Sequence, residues 1–374
     1  MNYRAITAGI LAGAVALAMG APAQAAETYK IGVVTPLSGK ISIYGEGFRK
    51  AMELAVDKIN AAGGVKGRKL EIIFEDNGST SQGSVSAIQK HIAIRKLPLV
   101  FGPGASSNFL AVCPIAQNAK VVLIAAESAA AKISNCGSYV YRVFPSDKLQ
   151  GKGVSDLVKR LKVTSVALTY INNDWGVGLA EVFKANFTAA GGKIVGEFAH
   201  DEGKTDYRAE VLRLKNYGAK YVVNLTYLKE GATILKQAMQ NNFRPQWIMG
   251  SATRSGKLVK LAGKAAEGVI GTYPTVARDR PPYKEYLAAW KAKYPVTKPA
   301  IFGEYNYDMV MVAARAIAGA KTYTAEAIRK ALPAAGKSYT GATGNKAFTA
   351  QGDIIDATYG VWTVKDGKIT DYKK

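Results

Sequence analysis

The sequence predicts an α/β protein with two lobes, each built on a doubly wound parallel sheet. Strand and helix patterns alternate almost without interruption, and such alternation favours parallel sheets covered by helices. Two short apolar runs, Leu99–Phe101 and Val121–Ala126, end in small residues, as buried parallel strands often do. The 374-residue chain also exceeds the length at which one hydrophobic core usually stops growing, so we expect two lobes.

The strands are predicted from β-branched runs, and the helices from apolar residues three or four positions apart. The predicted strands are Lys30–Thr35, Lys69–Glu75, Leu99–Phe101, Val121–Ala126, Tyr139–Phe144, Ser165–Ile171, Lys193–Phe198, Tyr221–Leu225, Gln246–Met249, Val269–Thr272 and Ala357–Val364. The predicted helices are Phe48–Ile59, Ser84–Arg95, Leu149–Leu161, Leu179–Ala189, Tyr207–Asn216, Ala232–Asn241, Tyr283–Lys293, Tyr307–Ala318 and Ala325–Leu332. No low-complexity linker separates the two runs of this alternation, which meet near residue 144. We therefore expect a hinge made of short crossings.

The N-terminus has the pattern of a secretory signal. Arg4 precedes an apolar run from Ala5 to Met19, and the small-residue sequence Ala23-Gln24-Ala25 follows. This run is too short to span a membrane, and the ending fits signal-peptide cleavage after Ala25. We expect residues 1–25 to be removed and the protein to be exported to the periplasm; an uncut membrane anchor is the alternative.

The net charge and the number of cysteines are interpreted for a protein that is exported to the periplasm. The formal net charge is +22, but export and the scattered positions of the basic residues argue against nucleic acid as a partner. The basic residues are predicted to form a solvated surface that steers small anions inward. An even number of cysteines, Cys113 and Cys136, favours one disulfide over two free thiols in an oxidising compartment.

Residues suited to catalysis are scarce. His91 and His200 are the only histidines, and neither lies near a cysteine or a second histidine at metal-ligand spacing. The run Gly176-Val177-Gly178 lacks the third small residue of a dinucleotide site, because Glu181 stands there. We therefore expect no metal, no cofactor and no enzymatic activity, with an exported two-lobed enzyme as the rival interpretation.

Several short stretches resemble a known family when their order and spacing are taken together. They are Ile31–Gly39, Tyr44-Gly45, Ala55–Asn60, Gly63–Gly67, Glu75-Asp76, Gly102–Ser107 and Asp174–Gly176. In this order they resemble the branched-chain amino-acid-type periplasmic binding proteins, the solute-binding components of ABC importers. The resemblance implies two Rossmann-like lobes joined by three hinge crossovers and closing over one ligand. It implies an N-terminal lobe of residues 26–143 and 273–352, and a C-terminal lobe of residues 144–272 and 353–374.

The resemblance also implies which residues meet the ligand. It puts Ser106 where the family binds a ligand carboxylate, Trp175 and Tyr227 where second-lobe aromatics close on the ligand, and Tyr44 and Phe302 along the side-chain pocket. Ser107 and Ser128 are further candidate donors, and Arg254 is a candidate cation. The predicted ligand contacts are Tyr44, Ser106, Ser107, Glu127, Ser128, Ala129, Trp175, Tyr227, Arg254 and Phe302.

Two departures from the family pattern bear on the ligand. Glu127-Ser128-Ala129 stands where amino-acid binders commonly have a threonine in third place, and Ala252 stands where they have the acid that holds the ammonium group. These departures favour a carboxylate without an ammonium group, most simply an aromatic acid. Amino-acid binding is the alternative, since Glu127 can replace the missing acid.

The implied partners are the ligand and a membrane permease. We expect a monomer that delivers its ligand to an ABC permease, and a ligand-sensing partner of a membrane receptor is the alternative. Permease and ATPase genes beside the gene for this chain would favour transport.

Overall fold

The first five strands form one wholly parallel sheet. The computed structural model describes residues 28–355 and 357–372. The strands are β1 (Tyr29–Thr35), β2 (Leu70–Asp76), β3 (Leu99–Phe101), β4 (Val122–Ala125) and β5 (Val140–Arg142). Their order is β2-β1-β3-β4-β5, and every neighbouring pair is parallel. Val33 and Val34 belong to different buried clusters on opposite faces of the sheet, as a doubly wound sheet requires.

The second sheet has a parallel core and an antiparallel edge. Its strands are β6 (Ser165–Ile171), β7 (Lys193–His200), β8 (Tyr221–Leu225), β9 (Gln246–Met249), β10 (Ile270–Pro274), β13 (Tyr359–Lys365) and β14 (Lys368–Asp371), in the order β14-β13-β10-β9-β8-β6-β7. The strand β13 runs antiparallel to both of its neighbours. Strand β14 was not predicted, although Asp366 and Gly367 form a two-residue turn with positive φ, which is a strong hairpin signal.

Eleven α-helices cover the sheets within the described residues. They are α1 (Ser42–Ala61), α2 (Ser81–Gln89), α3 (Ser106–Asn118), α4 (Asp147–Arg160), α5 (Asp174–Ala189), α6 (Arg208–Asn216), α7 (Leu228–Gln240), α8 (Gly256–Ala262), α9 (Pro281–Lys293), α10 (Gly303–Gly319) and α11 (Ala325–Lys337). Helix α3 was not predicted and contains Pro114. Helix α8 was also not predicted; it is only seven residues long.

The chain passes between the two sheets three times. It leaves the first sheet after β5, returns after β10 so that α10 packs on α1, and leaves again before β13. A short hairpin of β11 (Thr340–Gly341) and β12 (Gly344–Asn345) precedes the last passage. The predicted architecture of two α/β lobes joined by three crossovers is confirmed.

A buried arginine holds the last crossing segment beside the first sheet. Arg142 is fully buried at the end of β5, and its guanidinium forms an ion pair of 2.6 Å with Asp353. The same guanidinium donates to the carbonyl oxygens of Ala129 and Ala130 at 2.8 and 2.9 Å. Because all these groups are satisfied, the burial of the charge is tolerated and the loop after β4 is held in place.

The expected disulfide is present. Cys113 of α3 is joined to Cys136, which follows a short 3-10 turn over residues 131–135. The bond ties α3 to the segment that leads into β5.

Candidate functional site

An enclosed cavity lies between the two sheets, at the carboxyl ends of their parallel strands. It has a volume of about 40 Å³. Its walls are Ile41, Tyr44, Phe48, Gly104, Ala105, Ser106, Glu127, Ala129, Phe144, Trp175, Tyr227, Ser251, Ala252 and Phe302. Loops that follow strands of both sheets converge here, because the carboxyl ends of parallel strands share one edge.

Aromatic rings form most of the apolar wall. Trp175 and Tyr227 of the second lobe are stacked, with ring centroids 4.9 Å apart and planes at 12°. Phe144 and Phe302 meet edge to face at 5.0 Å. Flat rings of this kind suit an apolar or aromatic group of a compact ligand.

Ser106 is positioned to donate a hydrogen bond into the cavity. It is the first residue of α3, and its Oγ accepts from the backbone N–H groups of Ala129 and Ala130, each at 3.1 Å. Since both oxygen lone pairs are engaged, the hydroxyl proton is left to donate elsewhere. No side chain caps this helix and its first turn carries no acid, so its N-terminus adds partial positive charge for an anion.

Glu127 carries the only carboxyl group on the described walls of this cavity. The amide of Asn306 donates to its Oε2 at 3.3 Å. Burial raises the pKa of Glu127 to about 8, and the Asn306 hydrogen bond opposes that rise only partly. A carboxyl group with this pKa is mainly protonated at pH 7.

Two hydroxyl groups join the lobes across the cleft. Tyr44 of α1 accepts from the Leu228 N–H at 2.9 Å and donates to the Ala252 carbonyl at 3.1 Å. The Oγ of Ser107 accepts from the Asp174 N–H at 3.0 Å. These bonds connect the two lobes directly and define a closed cleft.

A polar network lies behind Trp175 at the first crossover. Asp147, the first residue of α4, is buried, and Gln150 donates to its Oδ1 at 3.4 Å. Burial raises the pKa of Asp147 to about 7, and the charge of Arg142 opposes the rise. Sequence reasoning missed this group; its one local signal is an acid beside an N-capping residue, Ser146.

Most of the predicted ligand contacts lie on the cavity wall. Those that do are Tyr44, Ser106, Glu127, Ala129, Trp175, Tyr227 and Phe302. The structure places Ser107, Ser128 and Arg254 elsewhere. Ser107 accepts the hydrogen bond from Asp174 that joins the two lobes. Ser128 donates to the Pro103 carbonyl at 2.8 Å. Arg254 lies over the Tyr273 ring in a separate outer cleft.

Wall residues that were not predicted had weak local signals. Phe48 lies one helical turn after Tyr44 and so shares its face. Phe144 ends the predicted strand Tyr139–Phe144, and Ser251 follows β9. Gly104 and Ala105 belong to the small-residue turn before Ser106.

The two histidines occupy structural positions. His91 packs on Gly32 and hydrogen-bonds with the Val33 carbonyl, and His200 lies between the hydroxyl groups of Thr169 and Thr226. The described residues contain no cluster of histidine, cysteine or acidic side chains suited to a metal ion. In the same part of the chain, no helix is long and apolar enough to cross a membrane.

The two α/β lobes close over one small cavity, which has hydrogen-bond donors on one lobe and aromatic rings on both. This arrangement defines a two-lobed solute-binding protein. Residues 28–368 match the family model described as periplasmic binding protein, and the chain belongs to that family. Within it, the chain is of the branched-chain amino-acid type, with the type I fold.

Relatives and solved structures agree with this assignment. The chain is 28% identical over 353 residues to the leucine-, isoleucine-, valine-, threonine-, and alanine-binding protein of Pseudomonas aeruginosa, covering 93% of each chain. It is similar to a leucine-binding protein from Thermotoga maritima, with a TM-score of 0.86, 26% identity, and coverage of 92% of this chain and 98% of that one. A branched-chain amino-acid binding protein from Streptococcus pneumoniae, solved with isoleucine, gives a TM-score of 0.84 at 28% identity, with the same coverage.

Proposed function

We propose that this protein is the periplasmic solute-binding component of an ABC importer, exported by a signal peptide over residues 1–25, which lies outside the described residues. It captures a small carboxylate by closure of its lobes and delivers it to a membrane permease. The observation that carries this proposal is that Ser106 and Glu127 line one enclosed cavity between the lobes. The names of the similar proteins describe binding proteins, which supports a binding role.

The ligand class that this pair of residues supports best is an α-amino acid with an apolar side chain. The Ser106 hydroxyl and the N-terminus of α3 suit a ligand carboxylate, while ionised Glu127 suits an ammonium group. The rings of Trp175 and Tyr227 then meet the side chain. Glu127 thus takes the place of the acid that is missing at Ala252, from the opposite lobe.

The free-energy cost of ionising Glu127 is close to the gain from its contact with an ammonium group. Ionising a carboxyl group with a pKa of about 8 at pH 7 costs about 1.4 kcal/mol. A hydrogen bond to a charged group contributes about 1.5–3 kcal/mol. The contact between Glu127 and an ammonium group therefore offsets the cost of ionisation, with a small surplus.

An aromatic carboxylate is the second candidate, and the protonated state of Glu127 favours it. A neutral carboxyl group can donate its proton to a ligand carboxylate with no cost of ionisation. The ring-lined wall suits a flat ligand. Arg254 does not support this candidate, because it lies outside the cavity.

A binding screen with one variant separates the candidates. Calorimetry with leucine and with benzoate is performed on the wild type and on Glu127→Gln, with Glu285→Gln as a control at an exposed ion pair with Lys58. Amino-acid binding predicts tight leucine binding that weakens about 10-fold to 150-fold in Glu127→Gln only. Benzoate binding that the same variant leaves unchanged would assign the aromatic carboxylate, and binding of neither compound class by the wild type would refute the proposed function.

A further inference from the structure

A second, larger cleft lies beside the enclosed cavity. It has a volume of about 780 Å³, within the range of about 300–1,000 Å³ that small-molecule sites occupy. Tyr44, Ser251 and Phe302 line both spaces and so form the partition between them. Both lobes contribute to the outer cleft, through α1 and α10 on one side and the segment after β9 on the other.

The side chains that line the outer cleft are mainly cationic. The cations are Lys50, Arg254, Lys257, Lys260, Arg278 and Lys298, and the carboxylates are Glu46 and Glu304. Among the described residues, only two of these cations have a carboxylate within ion-pair distance: Lys50 with Glu46 at 3.5 Å, and Arg254 with Asp371 at 3.9 Å. The cleft therefore holds an excess of positive charge that carboxylates of this chain do not balance.

Arg254 is the most constrained of these cations. Its side chain is only 19% exposed and lies over the Tyr273 ring at 4.0 Å. Its Nε is buried without a hydrogen-bond partner. The nearest carboxylate, that of Asp371, is 60% exposed and already accepts a hydrogen bond of 2.8 Å from Tyr273. A buried guanidinium donor without a partner is costly, so Arg254 is incompletely satisfied by the groups of this chain.

The surrounding charges make an external anion favourable. Burial and the nearby charge of Arg278 lower the pKa of Arg254, so the two guanidinium groups repel one another. Glu304 faces both arginines from α10, but burial raises the pKa of its own carboxyl group. An anion between the arginines would relieve their repulsion more fully than Glu304 does. Arginine is suited to this role because its planar donors match carboxylate and phosphate oxygens.

We propose that the outer cleft is a second ligand site, centred on Arg254 and Arg278, which binds a small polyvalent anion with carboxylate or phosphate groups. The anion contacts cations of both lobes, since Lys50 and Lys298 lie on the first lobe and Arg254 on the second. Its binding therefore stabilises the closed cleft.

The test uses the mature protein with citrate and inorganic phosphate as polyvalent probes and acetate as the monovalent control, all at one ionic strength set with sodium chloride. Binding is measured by calorimetry and by thermal shift on the wild type, Arg254→Gln and Arg278→Gln. Arg278 is exposed, so its replacement leaves the packing intact. Arg208→Gln is the matched control, since Arg208 is an exposed arginine paired with Asp206 outside the cleft.

We expect citrate or phosphate to bind the wild type and Arg208→Gln alike, and each cleft variant to weaken that binding at least tenfold. Phosphate binding without citrate binding would assign a phosphate group, and the reverse would assign a polycarboxylate. Equal binding by all four proteins, or no more binding than acetate shows, would overturn the proposal. The binding of leucine and of benzoate to Arg254→Gln is measured as well. Because these two ligands are proposed to bind in the enclosed cavity, a failure to bind them counts against the proposed function and not against the outer site.

Discussion

The protonation of Glu127 makes the preference between ligand classes depend on pH. An amino acid holds Glu127 ionised beside its ammonium group, whereas an aromatic carboxylate holds it protonated as a donor. The two complexes therefore differ by one bound proton. By linkage, one proton changes the ratio of the two affinities tenfold for each pH unit. This difference between the complexes does not depend on how far the unliganded cleft is open.

The magnitude follows from the burial of Glu127. With a pKa of about 8 in the closed cleft, the ionisation of Glu127 becomes less costly as the pH rises towards that value. The ratio of leucine affinity to benzoate affinity should therefore rise about tenfold between pH 6 and pH 7. Asp147, with a pKa of about 7, also titrates in this range, so the comparison with Glu127→Gln is needed.

Calorimetry in buffers of different ionisation enthalpy measures the one-proton difference between the two complexes directly. In Glu127→Gln, the pH dependence that belongs to Glu127 should vanish. The reasoning is refuted if the ratio of leucine affinity to benzoate affinity is the same at pH 6 and pH 7. It is also refuted if Glu127→Gln keeps the full pH dependence of the wild type.

The other predictions concern single contacts. Ser106→Ala should weaken ligand binding by about 1–3 kcal/mol, because it removes the donor and leaves two N–H groups without an acceptor. Tyr44→Phe should raise Kd about tenfold by removing the bonds that hold the cleft closed, and it should reduce the ligand-induced decrease of the radius of gyration in small-angle scattering. Reduction of the disulfide between Cys113 and Cys136 should lower the free energy of unfolding by roughly 3 kcal/mol, as measured by chemical denaturation.

Each of these contacts has a control. Ser107→Ala removes a hydroxyl that bonds the other lobe and not the cavity, so an equal loss in both serine variants would argue against a direct ligand contact of Ser106. An unchanged scattering profile at saturating ligand would contradict closure of the lobes. Two alkylatable thiols in the exported protein would contradict the disulfide.

The sequence alone determined the architecture and much of the cavity wall. Alternating patterns of period two and 3.6 predict parallel strands with helical connections, and the carboxyl ends of parallel strands meet at one edge. Ser106 and Glu127 each follow such a strand, so their approach to one cleft follows from local pattern and topology together. The strand β14 was missed although its turn signal is local.

Only the tertiary structure decided how the polar groups are used. Ser128 and Glu127 are neighbours in the chain, yet the Ser128 hydroxyl is engaged by Pro103 while Glu127 lines the cavity. Arg254 follows Ala252 by two positions and lies in a different cleft. The pKa of Glu127 depends on burial by segments as distant as Asn306. Side-chain direction and burial depend on contacts between segments far apart in the chain, and local sequence patterns carry no information about those contacts.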